Sequence, residues 1–154
     1  VLTIRKFQNG DELALREIFF NTIRNINIKD YSEAQVHAWA PESYDASAWH
    51  ERISAMNPFV ALLDGVIVGY ADIQDDGYID HFYCHWNYQG VGVGKSLMKE
   101  ILATAKSKGI ERLYSHVSIT AKPFFERMGF TVVKTQQVNV RGQLLTNHVM
   151  ERRV

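Results

Sequence analysis

The sequence predicts an α/β fold: a mixed, mostly antiparallel central sheet with helices on both faces, in the order β-α-α-α-β-β-β-α-β-α-β-β. Three observations carry that prediction. An alternating apolar–polar run, "LTIRKF", opens the chain, and two further apolar runs meet at Asp64-Gly65, a strong hairpin signal. A glycine-rich loop, "YQGVGVGKS", joins a strand to an amphipathic helix that is followed by another strand. An antiparallel meander feeding one β-loop-α-β unit requires a sheet of mixed sense.

Each element has its own signal. After the first strand, Leu15, Ile18, Phe19, Thr22 and Ile23 share one helical face, with Asp11 as the N-cap. Ser32-Glu33-Ala34-Gln35 is a capping box, and Pro41 stops the second helix after Trp39-Ala40. Asp45 caps a third, short helix carrying Ala48, Trp49, Arg52 and Ile53 on one side. "FVALLD" and "VIVGYADIQ" form the hairpin, and Asp75-Asp76-Gly77 turns the chain into "YIDHFYCHW", a single third strand. Leu97, Met98, Ile101, Leu102 and Ala105 follow the loop at helical spacing, up to Gly109. "ERLYSHVS" is a strand, Ala121–Met128 a short helix ended by Gly129, and the tail a long hairpin around Arg141-Gly142.

A chain of 154 residues with no repeat, low-complexity tract or linker reads as a single domain, 1–154. Its 17 Lys and Arg balance 17 Asp and Glu, so no global charge draws it to nucleic acid or to an anionic membrane. One cysteine, Cys84, excludes an internal disulfide and a cysteine-rich zinc site, and no metal is expected. No apolar run approaches the roughly 18 residues of a membrane span. The opening "VLTIRKFQNGDELALREIF" lacks the basic-then-apolar plan of a signal peptide, so the expected compartment is the cytoplasm.

The glycine loop is the main chemical signal. A P-loop requires G-x-x-x-x-G-K-[ST]; Gly94-Lys95-Ser96 supplies its end, but its first glycine would fall on Gln89. A dinucleotide G-x-G-x-x-G fails as well, since Lys95 or Leu97 occupies the third glycine position. What remains is Q-x-x-G-x-G at a helix start. There the unpaired backbone N–H groups and the helix dipole favour an anion, the dipole by roughly 0.3–1 kcal/mol at an exposed end. Alternate glycines let a pyrophosphate approach closely, and Lys95 adds charge. The competing reading is a glycine-rich turn that serves close helix–strand packing.

With its surroundings, this loop resembles that of the GNAT superfamily of N-acetyltransferases. Gln89-Gly90-Val91-Gly92-Val93-Gly94 matches that family's [QR]-x-x-G-x-[GA]. "FYCHWNYQG" resembles the family's preceding strand, with Trp86 where a proline is usual, and "AKPFFERMGF" resembles its A-x-x-F-Y-E-x-x-G-F element at Ala121–Phe130. The resemblance implies acetyl-CoA as co-substrate. Phe82, Tyr83 and Cys84 would offer backbone groups to the pantetheine arm, and Gly90 to Lys95 would hold the pyrophosphate. Gln89 opens that loop, Ser118 stands where many relatives carry an asparagine that contacts the cofactor, and Phe124 and Phe125 would flank the pantetheine. Many members carry tyrosine at the position of Phe125, as the acid for the departing thiolate; phenylalanine donates no proton. A thiol with a pKa of roughly 8.5 can still leave as the thiolate.

Acyl transfer to an amine needs the neutral amine and therefore a base. "YIDHFYCH" supplies Asp80, His81, Tyr83 and His85, and alternation separates Asp80, Phe82 and Cys84 from His81, Tyr83 and His85. Asp80 and His81 are the catalytic candidates, as base or amine anchor, each with hydrogen bonding to a neighbouring strand as its structural alternative. His116 is a further candidate on the next strand. Cys84 reads as a small buried hydrophobe rather than a nucleophile, because His85 points to the opposite face. Tyr31, Trp39, Tyr44 and Trp49 lie where this superfamily commonly walls the acceptor site and would suit an apolar or cationic acceptor, or they are core residues. Asp75 and Asp76 read as turn residues.

The resulting expectation is N-acetyl transfer from acetyl-CoA to an amine by direct attack, with a small-molecule acceptor favoured over a protein, in a monomer or homodimer. An acyl-CoA sensor without efficient catalysis is the alternative that Phe125 keeps open. A nucleotide-binding protein is the alternative that Gly94-Lys95-Ser96 suggests.

Overall fold

A computed structural model describes the whole chain, Val1–Val154. Strand β1 (Leu2–Lys6) precedes helices α1 (Glu12–Asn25), α2 (Glu33–Trp39) and α3 (Ala46–Met56), with a 3-10 turn at Asn27–Lys29. Then come β2 (Phe59–Leu63), β3 (Val66–Ala71), β4 (Tyr78–Ile79), β5 (Phe82–Cys84), α4 (Val93–Ser107), β6 (Arg112–Ser118), α5 (Lys122–Arg127), β7 (Thr131–Val140) and β8 (Gln143–Arg153). No helix is long and apolar enough to cross a membrane.

The local signals operate as the sequence indicates. Ser32 Oγ accepts from the Gln35 N–H at 3.1 Å while Gln35 Oε1 accepts from the Ser32 N–H at 2.8 Å, closing the capping box. Asp45 caps α3 through the Ala48 N–H. Both tight hairpins place two successive residues at positive φ, Asp64-Gly65 and Arg141-Gly142, matching the twist of the flanking strands. Asp76 is a turn residue: it accepts from the Tyr78 N–H and from the Tyr114 hydroxyl. Asp11 differs from expectation. It stands at the N-terminus of α1, but its carboxylate is turned to Arg5, at 2.7 Å, and to the Gln8 N–H, and caps no helical N–H.

The strands form two four-stranded sheets, β1-β2-β3-β5 and β4-β6-β8-β7, antiparallel except for the parallel β4–β6 pair. Helices cover both faces, and along β2 Phe59 and Ala61 enter one core while Val60 enters the other. The first core receives Val93, Leu97, Met98, Ile101 and Ala105 from α4 and Phe125 from α5. The second receives Leu15, Ile18, Phe19 and Ile23 from α1, Val36 from α2, and Trp49 and Ile53 from α3.

The single strand predicted over "YIDHFYCHW" is two strands belonging to different sheets. Tyr78 and Ile79 pair with β6, whereas Phe82–Cys84 pair with β3. The cause is the buried carboxylate of Asp72, whose Oδ1 accepts from the Asp80 N–H at 2.9 Å and the His81 N–H at 2.7 Å. By taking two successive amides on one side, it interrupts the alternation a strand requires. The chain changes sheets at Asp80-His81, and β5 and β6 are left unpaired with each other.

Candidate functional site

The separation of β5 and β6 is the structural basis of the site. His81 O accepts from the Asp72 N–H and the His85 N–H donates to Val68 O, so alternate residues of β5 face β3. By that alternation Tyr83 spends its backbone groups on Tyr70, while those of Phe82 and Cys84 face the gap. This narrows the expectation for Tyr83: its side chain, rather than its backbone, reaches the site. The Cys84 carbonyl is further engaged by the Thr22 hydroxyl at 2.9 Å and by Gln89 Nε2 at 2.9 Å.

A cavity of about 600 Å³ runs from this gap to the start of α4, lined by Phe82, Cys84, Gly92, Gly94, Val117 and Phe124 among others. The backbone N–H groups of Gly90, Val91, Gly92, Val93, Gly94 and Lys95 find no acceptor in the protein; the first helical bond runs from Ser96 to the Gly92 carbonyl. Consecutive free amides at the positive end of a 15-residue helix are an anion cradle. Gly90 and Gly92 have φ of 74° and 91°, a region that L side chains rarely adopt. Gly94 is needed for space instead: a Cβ there would lie 3.0 Å from Phe124 and 3.4 Å from Cys84 Sγ. Lys95 is exposed, Val91 is exposed, and Val93 is buried in the core, offering only its amide. Gln89 serves the loop itself, its Nε2 donating to the carbonyls of Cys84 and His85 at 2.9 and 3.2 Å.

Ser118 Oγ accepts from the Ala121 N–H at 3.0 Å and from Asn27 Nδ2 at 3.3 Å, so it also fixes the turn into α5. Phe125 is 2% exposed and packs edge-on against Phe82, and Phe124 touches both rings. Burial pushes the Cys84 thiol up to about 12, which fits an unreactive side chain. Thr120, whose buried hydroxyl has no partner, also lines this cavity; nothing in its sequence context marks it.

A second cavity, about 660 Å³, lies beneath α1 and α3 and is walled by Arg16, Tyr44, Trp49, Tyr78, Arg52 and Asn147 among others. Of the aromatic residues singled out in the sequence, all four line it. Tyr31 and Trp49 are also structural: the Tyr31 hydroxyl donates to Thr146 O and accepts from the Ile119 N–H, and Trp49 Nε1 donates to Glu12 O.

The two cavities meet at Trp39, Asp80, Tyr83, His116 and Ser118, which line both. The two catalytic candidates are thereby separated. Asp80 stands at the junction, its carboxylate 33% exposed and 3.5 Å from Arg52. His81 is 4% exposed; its Nδ1 shares a hydrogen bond with the Tyr70 hydroxyl at 2.9 Å and its ring stacks on Phe19. Burial, with Arg52 adding to it, pushes His81 down to about 3, so its imidazole is neutral. Its partner strand carries the opposite case: burial raises the Asp72 carboxyl to about 6. Burial likewise raises the Tyr83 phenol, which stays protonated at neutral pH.

Residues 27–152 match the family described as an acetyltransferase (GNAT) domain. The chain is 36% identical over 149 residues to the uncharacterized N-acetyltransferase YafP of Escherichia coli, covering 97% of this chain and 94% of that protein. Its fold is similar to a crystal structure from Rhodopseudomonas palustris described as a GCN5-related N-acetyltransferase, aminotransferase class-II. The TM-score is 0.94 at 30% identity, over 99% of this chain and 95% of that one. It also shares the fold of the PaiA N-acetyltransferase of Thermoplasma acidophilum, solved in complex with coenzyme A. There the TM-score is 0.76 at 21% identity, over 100% of this chain and 99% of that one.

Proposed function

We propose, from the premise that this chain belongs to the GNAT acetyltransferase family, that it transfers an acetyl group from acetyl-CoA to the amine of a small molecule by direct attack. The observation that carries the reading is the meeting of two cavities at Asp80: one opens on free backbone amides, the other is of a size for a small molecule.

In this reading the amides of Gly90–Lys95 bind the pyrophosphate of acetyl-CoA. The unpaired backbone groups of Phe82 with the Cys84 N–H align the pantetheine arm, the Cys84 carbonyl being taken by Thr22 and Gln89. Phe124 and Phe125 pack beside that arm. Acetyl-CoA supplies the activated acyl group. Asp80 anchors the acceptor's ammonium at the junction and accepts its proton for release to solvent, so that the neutral amine attacks the thioester carbonyl. The hydroxyls of Tyr83 and Ser118, which line both cavities, would donate to the carbonyl oxygen and the departing sulfur as these gain charge. The departing thiolate needs no strong acid, so Phe125 is compatible with turnover.

The test is calorimetric titration of acetyl-CoA, CoA and Mg-ATP into the wild type and Gly92→Glu. The variant sets a carboxylate where the pyrophosphate would lie; no atom lies within 4 Å of a Cβ there, and the φ of 91° adds local backbone strain to the charge. Acetyl-CoA affinity should fall by about 100-fold or more, as expected when a like charge faces a bound anion. Absence of acetyl-CoA binding to the folded wild type, or binding of Mg-ATP alone, would remove the reading. Binding of acetyl-CoA with no turnover on any amine would instead support an acyl-CoA sensor.

A further inference from the structure

The second cavity holds a cation that the protein leaves without a counterion. Arg16, in the middle of α1, is 92% buried by its 8% residual exposure. Its guanidinium lies 4.1 Å from the Tyr44 ring centre, 5.1 Å from Phe19 and 5.3 Å from Trp49. Its one hydrogen bond within the protein runs from Nη2 to the Pro41 carbonyl at 2.7 Å. It belongs to none of the protein's ion pairs.

Burying a guanidinium is costly unless it is paired and hydrogen-bonded. Aromatic rings satisfy the faces of the planar group but not its edge, which carries five N–H donors. One of those donors is used. The nitrogens not bonded to Pro41 are not sealed in protein, and Arg16 lines the cavity.

The charges around it do not compensate. The cavity wall contains Arg16, Arg52 and Arg141 against two carboxylates, Asp45 and Asp80. Asp45 caps α3, and Asp80 pairs with Arg52 at the junction. Arg141 donates to the Ala38 carbonyl and has no acidic partner. Arg24 and Arg141 both add repulsion at Arg16. Asn147 contributes to the same wall an amide oxygen that is shielded from water and has no donor.

We infer that the acceptor is an amine that also bears an oxyanion, a carboxylate or a phosphonate, which the edge of Arg16 receives while the amine lies at Asp80. A bidentate guanidinium–oxyanion pair supplies the missing counterion. It also disfavours polyamines and simple cations, for which Arg16 and Arg141 would be like charges. Phe19, Tyr44 and Trp49 therefore serve to hold Arg16 rather than to cage a cationic acceptor. This inference rests on the acetyltransferase reading above.

The experiment follows CoA release at saturating acetyl-CoA with matched acceptor pairs. Each α-, β- or ω-amino acid in the panel is compared with the amine left after removal of its carboxylate, and with the corresponding aminoalkylphosphonate. In the wild type, at least one acid-bearing amine should exceed its uncharged-end partner by about 30-fold or more in kcat/KM, the scale of a lost buried charge pair. Arg16→Met should abolish that preference, chiefly through KM, with acetyl-CoA affinity unchanged because Arg16 lies outside the first cavity. Arg16→Lys keeps the charge without the fork and should retain part of the preference. Preference for either the carboxylate or the phosphonate identifies the oxyanion. Equal or better turnover of the amines without the oxyanion overturns the inference, as does a preference unchanged in both variants. The wild-type comparison stands even if neither variant folds. Failure of acetyl-CoA to bind, read separately by calorimetry, would overturn the acetyltransferase reading itself.

Discussion

The two cavities that meet at Asp80 are built from different materials. The first is made largely of backbone: free amides over Gly90–Lys95 and the unpaired edge of β5. The second is made of side chains drawn from α1, α2, α3, the strands on either side of the split and the closing hairpin. A backbone site demands little of residue chemistry but a great deal of local conformation, so its sequence cost concentrates in a few glycines. A side-chain site demands particular groups at positions that only the tertiary fold brings together. The first is therefore broken by adding atoms, as Gly92→Glu does, and the second by removing them.

Removing the Asp80 carboxylate gives the largest expected effect on the side-chain half. Asp80→Asn should lower kcat by about 100-fold, the lower end of what a positioned acid–base group contributes. Its Arg52 partner is half exposed, so the fold should be little affected. Acetyl-CoA affinity should stay within about 2-fold, because the amide cradle is intact. Steady-state kinetics with calorimetry on the same preparation checks both. An unchanged kcat would transfer the proton-handling role to His116, the exposed imidazole that lines both cavities.

The next effect tests the seam between the two sheets, where Asp72 and His81 oppose each other. His81 is held neutral, with its value near 3 in the folded state against 6.5 unfolded. Its contribution to stability is present above about 6.5 and is lost as pH falls towards 3. Burial makes Asp72 keep its proton to higher pH, near 6 folded against 3.8 unfolded. Its contribution is present below about 3.8 and is lost as pH rises towards 6. Between about pH 4 and 6 the two slopes cancel in part. Asp72→Asn should therefore make stability fall more steeply on acidification through this window than in the wild type, and His81→Gln should reverse the trend. Urea midpoints at pH 4, 5 and 6 measure this. Parallel pH profiles for the three proteins would show that the pair does not titrate as their burial implies.

The same contrast explains what could be read from the sequence. The capping box at Ser32, the Asp64-Gly65 hairpin and the glycine loop are local devices, and each is found where its residues stand. The split of β4 from β5 was not legible. It depends on Asp72, just past the end of β3, reaching the amides of Asp80 and His81, and a lone Asp80 among strand-forming residues, with no glycine or proline beside it, does not announce that contact. Alternation separated Asp80 from His81 but did not reveal that one lies at a junction and the other in a core. Arg16 was hidden for a related reason. Within "ELALREIFF" it stands at the edge of the apolar face, where a charged side chain ordinarily reaches solvent, and only the arrival of Tyr44 and Trp49 covers it. Asn147 and Thr120 lie on the hairpin and the turn before α5 with no spacing that would mark them.

Gln89 is where the comparison becomes finest, because it is a side chain that serves the backbone half. Its two bonds to the Cys84 and His85 carbonyls brace the turn between β5 and the free amides. Gln89→Ala removes that brace without opening a cavity, since the residue is exposed. The Cys84 carbonyl keeps its bond from Thr22, so no buried group is orphaned there. Stability should change by less than about 0.5 kcal/mol, as for most surface substitutions. Acetyl-CoA affinity should fall by about 5-fold, the equivalent of roughly 1 kcal/mol for one net hydrogen bond that holds the loop in its binding form. Pantetheine, which lacks the pyrophosphate, should bind the variant and the wild type alike. An equal loss for pantetheine would mean that Gln89 supports the edge of β5 instead of the amide cradle. No loss for either ligand would mean that the glycines hold the cradle unaided.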